Sequence, residues 1–171
     1  MRFLTADRHF ERFEDVTPEI LKAECVKLLL CDLDNTLKVR RDTEPEEELV
    51  KWVEVCKKAG VKIVVISNNG KKRKIQAFCR PLGIDCVWWA KKPMSTKLTE
   101  AMTKYGFDKV ETVMLGDKWS TDVLAAKFAG VRAWKVEHRK GILLDFEKQE
   151  KKVAFRAYKI SKKELKNDKK A

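Results

Sequence analysis

Leu28-Leu29-Leu30-Cys31-Asp32-Leu33-Asp34-Asn35-Thr36-Leu37 joins an unbroken apolar run to two aspartates spaced two apart. So short and so uniformly apolar a run reads as a strand buried on both faces, the kind found in parallel sheets covered by helices. Alternate side chains of an extended chain point the same way, so Asp32 and Asp34 can both address one small volume where the strand leaves the sheet. Two carboxylates at one place point to a metal ion, a phosphoryl group, or both.

Outward from this stretch, strand-like runs recur at residues 26–31, 61–66, 86–89, 112–115 and 131–136, each separated by a segment of helical period. That alternation predicts an α/β fold with a central parallel sheet of about five strands and helices on both faces. The clearest helix is 46–59. Its Leu49, Trp52, Val53 and Cys56 lie at i, i+3, i+4 and i+7, Pro45 suits the first turn, and Gly60 suits the stop. The same signals predict helices at 71–80, 96–105 (stopped by Gly106) and 121–129 (stopped by Gly130). Upstream, Thr17-Pro18-Glu19 reads as the cap and first turn of a short helix to Ala23. The expected organisation is an N-terminal segment (1–25) packing a short helix on the core, a catalytic domain (26–145), and a basic, partly disordered helix or tail (146–171).

A chain of 171 residues, 44% apolar and 37% charged, suits one domain with a sizeable core. Its net charge of +12 is unevenly placed: residues 147–171 hold ten Lys/Arg against four Asp/Glu, a net +6 and half the total. Five cysteines, at 25, 31, 56, 79 and 86, form no CxxC pair and read as reduced core residues of a cytoplasmic protein. The first residues carry Asp7 and Glu11 and no apolar leader, and no segment nears the roughly 18 apolar residues needed to span a bilayer. A soluble chain, at most attached to the inner face of a membrane, is expected.

In a parallel sheet the residues just after each strand collect on one edge, where ligands bind in open α/β folds. Here they are Asp32 and Asp34, then Ser67-Asn68-Asn69, then Lys91-Lys92-Pro93, then Gly116-Asp117-Lys118-Trp119-Ser120-Thr121-Asp122. That set suits phosphoryl transfer. One carboxylate can attack phosphorus, while a second protonates the leaving oxygen and later deprotonates water. Mg²⁺ can cancel the anionic charge when Asp117 joins the pair. Lys92 balances further charge, and the Ser67 hydroxyl and Asn68 amide can bind phosphoryl oxygens. Asp122 falls in the first turn of the next helix, where it would orient ligands or water rather than touch the ion. The candidate metal-site residues are Asp32, Asp34 and Asp117, with Asp122 joining them directly or from behind the ligands.

Together these residues resemble the haloacid dehalogenase superfamily of phosphotransferases: DxDxT at Asp32 to Thr36, Ser67 ending the second strand, Lys92, and GDxxxxD from Gly116 to Asp122. The resemblance covers about residues 26–136 and implies a Rossmann-like fold. More narrowly, Asp32 to Leu37, Ser67-Asn68-Asn69, Lys92-Pro93-Met94, Gly116-Asp117, Thr121-Asp122-Val123 and Asp15-Val16-Thr17-Pro18 look like the subfamily IIIA phosphatidylglycerophosphatases of bacteria and mitochondria. The resemblance implies Asp32 as nucleophile, Asp34 as general acid/base, and Mg²⁺ held by the Asp32 carboxylate, the Asp34 backbone carbonyl and Asp117. Lys118-Trp119 departs from the small or uncharged residues that usually follow the GD pair.

Neither point at which the superfamily inserts a cap has room for one: only residues 38–44 separate the motif from the next helix, and one helix and one strand separate Ser67 from Lys92. An open site favours a phosphate carried on something large. Residues 71–74, Lys-Lys-Arg-Lys, open a helix where its dipole disfavours cations. With Lys38, Arg40, Arg41, Lys91, Lys92 and Lys118 they predict a positive rim suited to an anionic membrane, with a solvated face as the plain alternative. Phe10 and Phe13 could insert at a membrane interface, but packing on the sheet edge is the simpler reading. Trp88-Trp89 reads as a core strand with one ring outward. His9 and His138 lack partners at metal spacing and read as exposed. The expectation is a Mg²⁺-dependent phosphomonoester hydrolase working through an aspartyl-phosphate, with phosphatidylglycerophosphate as the implied substrate. Its alternatives are a phosphatase for a soluble or nucleic-acid phosphate, and a non-catalytic basic domain that binds nucleic acid. A receiver domain also pairs acids, but has no place for the Asp117 to Asp122 motif.

Overall fold

At the centre of the structure, a computed structural model that describes residues 5–137, lies β2 (Leu28–Cys31), all four of whose residues are buried. It is flanked by β3 (Lys62–Ile66) and β5 (Thr112–Gly116). Beyond them come β4 (Asp85–Val87) on one side, and β6 (Arg132–Val136) then β1 (Arg8–Phe10) on the other. The order is β1-β6-β5-β2-β3-β4 and every pair is parallel. Leu28 faces Lys62 and Thr112 across the two ladders, and Cys31 faces Val65 and Leu115. The ends of the three central strands therefore come into line, at the place where the chain order reverses.

The pleat divides the core into two layers. Leu29, Cys31, Ile63, Val65, Val113, Leu115 and Trp134 pack with α1 (Pro18–Ala23), α2 (Glu47–Lys58) and α3 (Lys72–Cys79). Leu28, Leu30, Val64, Ile66, Met114 and Ala133 pack with α4 (Thr96–Tyr105) and α5 (Leu124–Ala129). The stripe Leu49, Trp52, Val53 and Cys56 is the buried face of α2, as its period predicts. Gly106 and Gly130 close α4 and α5 in left-handed conformation, which glycine adopts without strain.

Three features differ from the sequence expectation. The sheet has six strands, because the N-terminal segment adds β1 along β6, tied by the Asp7 carboxylate accepting from the Ala133 N–H at 2.7 Å. The fourth strand stops at Val87: Trp89 and Lys91 have φ of 53° and 56°, and a left-handed backbone cannot continue a ladder. The helix expected over 121–129 is instead a π-turn, Trp119–Val123, followed by α5.

Phe13 is fully buried, edge-on to Trp52 at 5.1 Å, and the Phe10 ring lies 5.4 Å from Trp134. Both phenylalanines belong to the body of the protein, not to a membrane face. No cap interrupts the described residues, and none of their helices is long and apolar enough to cross a membrane. The basic segment 146–171 and His138 lie outside the described residues.

Candidate active site

Asp32 leaves the central strand with its two oxygens addressed differently. Oδ1 is 2.7 Å from the Lys92 ammonium, and Oδ2 accepts from the Thr36 hydroxyl at 3.5 Å. The same hydroxyl lies 3.3 Å from Asp117 Oδ1, and Lys92 Nζ is also 2.7 Å from Asp122 Oδ1. One oxygen each from Asp32, Asp117 and Asp122 falls within 4.8 Å of the others. Lys92, Asp117 and Asp122 are all buried. Thr36, the last residue of the DxDxT pattern, thus bridges two acids that enter on different strands.

Three carboxylates gather around one ammonium, and negative charge brought together where it is largely buried is costly unless something neutralises it. A divalent cation that prefers oxygen ligands fits these donor atoms and their charge. Burial raises the Asp32 carboxyl most, Lys92 pulls it back, and Asp122 and Asp117 raise it again, leaving it at about 7. Burial works against the Lys92 charge, but Asp122 and Asp32 outweigh it and hold the ammonium above the usual lysine range.

Asp122 comes to this place through the π-turn. Lys118 O accepts from both the Asp122 and Val123 amides, and the Lys118 N–H donates to Asp122 Oδ2 at 3.0 Å. The added residue per turn rolls the Asp122 side chain inward, a common use of π-bulges at functional sites.

Asp34 stands apart from the three-acid cluster. Its Oδ1 is paired with Lys38 Nζ at 2.9 Å and its Oδ2 accepts from the Asn69 amide at 3.3 Å. The sequence reading placed Lys38 on the positive rim, and the structure corrects this. Lys38 is buried, and its ammonium donates to the carbonyls of Val39, Arg40 and Asp42 at 3.3, 3.2 and 3.0 Å. The loop folds over it, so its charge serves the loop and Asp34. Lys92 is likewise spent on Asp32 and Asp122, which leaves Arg40, Arg41, Lys71, Lys72, Arg73, Lys74 and Lys91 as the exposed cations of this edge.

Ser67 is buried at the end of β3, and its hydroxyl oxygen accepts from the Asn69 N–H at 3.1 Å. The Asn68 amide is also tied to the next loop. Its Oδ1 accepts from the Lys92 N–H at 2.7 Å and its Nδ2 donates to the Lys92 carbonyl at 2.9 Å. Asn68 therefore holds the Lys92 loop in place. Sequence reasoning missed Lys38 and Asn69 as partners of Asp34; no periodic signal marks either, whereas Thr36 was already visible inside its motif. Surface cavities of about 520 Å³ beside Asp7 and Arg132 and about 590 Å³ along Ser95 to Lys104 lie away from these acids. The chemistry of the strand ends, not concavity, marks the site.

Residues 6–130 match the haloacid dehalogenase-like hydrolase family. The chain is 34% identical over 129 residues to the probable phosphatase YqeG of Bacillus subtilis, covering 75% of this chain and 74% of that one. An uncharacterized protein from Listeria monocytogenes superposes with a TM-score of 0.54 at 19% identity, over 70% of this chain and 86% of that chain. A hypothetical protein from Xanthomonas campestris superposes at 0.52 with 14% identity, over 74% and 72%. At such identities these two speak for the fold alone.

Proposed function

The chain belongs to the haloacid dehalogenase-like hydrolases and is a phosphatase, and from that premise we propose that Asp32 is its nucleophile and Asp34 its general acid/base. The observation that carries this is the unlike surroundings of the two carboxylates. Asp32 lies against Lys92, Thr36 and two further acids, whereas Asp34 lies outside that cluster between Lys38 and Asn69. Two acids with different neighbours can take different roles at one pH.

In the first step an Asp32 oxygen forms a bond to phosphorus, the ester bond breaks, and Asp34 gives its proton to the departing alkoxide. In the second, Asp34 takes a proton from a water molecule that attacks the phosphorus, releasing phosphate and restoring the Asp32 carboxylate. Mg²⁺ held by Asp32, Asp117 and the Asp34 main-chain carbonyl would neutralise phosphoryl charge, with Asp122 orienting its surroundings through Lys92 and the Lys118 amide. Ser67 has its hydroxyl at the phosphoryl end of β3, and Asn68 keeps Lys92 in register with Asp32.

The substrate proposed is phosphatidylglycerophosphate, hydrolysed to phosphatidylglycerol in phospholipid synthesis on the cytoplasmic face of a membrane, with residues 26–145 carrying the chemistry. The open edge supports this reading, since nothing among the described residues would close over a small substrate. So do the subfamily-type motifs around Asp32, Ser67, Lys92 and Asp117. Hydrolysis of phosphatidylglycerophosphate, nucleotides and 3′-phosphorylated oligonucleotides is compared with and without Mg²⁺. Preference for the lipid is expected, and equal or better hydrolysis of a soluble phosphate would replace the substrate. Asp32→Asn should abolish turnover of every member of the panel while leaving the fold intact; an active variant would sink the mechanism.

A further inference from the structure

The positive rim of the site is also apolar in one place. Five large apolar side chains are exposed among the described residues: Val55, Val110 and Phe128 stand singly on other elements, but Trp89 (59% exposed) and Met94 (58%) flank buried Lys92 within one short segment. Trp89 has φ of 53°, a conformation that is costly for a bulky side chain and persists where surrounding structure imposes it. Its amide donates to the Asn69 carbonyl, and its ring lies where a Cβ on Gly70 would meet it at 2.7 Å. The ring is thus laid outward over the loop that carries Asn68 and Asn69, beside the catalytic edge.

Around it the charge is one-sided. Residues 67–99 contain eight Lys/Arg and a single acid, Asp85, which starts β4 at the far end of that strand and is paired with Lys62 at 2.6 Å. Lys71, Lys72, Arg73, Lys74 and Lys91 are all exposed.

We infer that Trp89 and Met94, with the exposed Lys71, Lys74 and Lys91 of the adjoining segments, dock this edge on the headgroup region of an anionic bilayer and lay the mouth of the site against it. An amphipathic ring belongs at the interface of a membrane, a flexible thioether can enter its apolar layer, and cations beside them meet anionic headgroups. A single-stranded nucleic acid would ask for successive stacking faces. Within residues 88–94 Trp89 alone offers an open ring, because Trp88 is partly buried and covered by the Lys72 ammonium at 4.4 Å. Met94 has no face to stack. The inference deepens the lipid-phosphatase reading and gives its substrate a route: the phosphate reaches Asp32 without leaving the membrane surface.

The full chain is tested by co-sedimentation with phosphatidylcholine vesicles and with vesicles containing phosphatidylglycerol, alongside hydrolysis of p-nitrophenyl phosphate in solution. Binding confined to the anionic vesicles is expected. The double variant Trp89→Ala, Met94→Ala should weaken it about tenfold while the soluble hydrolysis stays within twofold, and Trp89→Phe should remove most of the blue shift in tryptophan emission on vesicle addition. Because the basic segment 146–171 is unchanged in these variants, any loss belongs to the strip. Unchanged vesicle binding in the double variant overturns the inference, as does tight retention of an oligonucleotide that the same substitutions abolish. Failure of the substrate reading is separable: Trp89-dependent binding without hydrolysis of phosphatidylglycerophosphate leaves the docking surface standing and removes the lipid substrate.

Discussion

Gly116 and Asp122 approach so closely that a methyl group on Gly116 would lie 2.4 Å from Cβ, Cγ and Oδ2 of the aspartate. The glycine of the GDxxxxD pattern is therefore a space requirement. It ends β5 with nothing on its Cα so that the π-turn can roll Asp122 back against the strand, into reach of the Lys118 amide and Lys92.

Gly116→Ala should displace the Asp122 carboxylate by about an ångström and lower kcat about a hundredfold, the scale that such a misplacement costs. Helix and strand content by circular dichroism should be unchanged. A variant with near-normal turnover would show that Asp122 is not needed at this position.

Mg²⁺ should raise the melting temperature of the protein. Asp32, Asp117 and Asp122 repel one another in the metal-free fold, with only Lys92 between Asp32 and Asp122. A ligand that binds the folded chain at 100 times its dissociation constant adds about 2.7 kcal/mol, which for a chain of this size is a rise of roughly 5–11 °C. Asp117→Asn should abolish most of the rise. A melting temperature indifferent to Mg²⁺ in the parent chain would count against a metal among these acids.

Lys38→Met should separate positioning from binding. The substitution leaves Asp34 without its cation and three loop carbonyls without their donor, a loss of about 1–3 kcal/mol of stability for a partly buried group. Because Asp34 is the proposed acid/base, kcat should fall at least tenfold with KM little changed. Lys38→Arg should recover stability better than rate, since a planar guanidinium cannot reproduce four contacts gathered around one ammonium. Equal losses in kcat from a matched destabilisation elsewhere in the loop would reduce Lys38 to a structural role.

The sequence shows the site acids because each sits at the end of a locally apolar strand, and parallel pairing brings such ends to one edge whatever the details of packing. What it hides depends on partners distant along the chain. Arg8-His9-Phe10 has no apolar period and is a strand only because β6 lies beside it. Lys38 reads as one more surface cation among Val39, Arg40 and Arg41 until the loop closes over it. Asn68 looks only like a phosphate ligand, and its contacts with the backbone of Lys92 on the next loop cannot be read from the sequence. The π-turn escapes helical period for a related reason: the contact that holds it, Asp122 with the Lys118 amide, is made by a polar side chain that periodicity does not weigh.

Trp52→Phe should provide the converse case, a loss of stability without loss of chemistry. The Trp52 indole donates to the Val16 carbonyl at 2.9 Å and meets the Phe13 ring at 69°, fastening the segment before α1 onto α2. Phenylalanine keeps the ring contact and deletes the donor, and Val16 is fully buried, so its carbonyl is left without that partner. Such a group costs about 1–3 kcal/mol, a fall of roughly 2–12 °C in melting temperature for a chain of this size. Phe13→Ala should cost more, about 3–5 kcal/mol, because it opens a cavity. Trp52 lies on α2 and Phe13 ahead of α1, and neither element supplies an acid of the site, so kcat of Trp52→Phe at 25 °C should stay within twofold of the parent. A tenfold fall in kcat with an unchanged melting temperature would show that the N-terminal segment reaches the chemistry, and would require β1 and its following turn to be counted as part of the site.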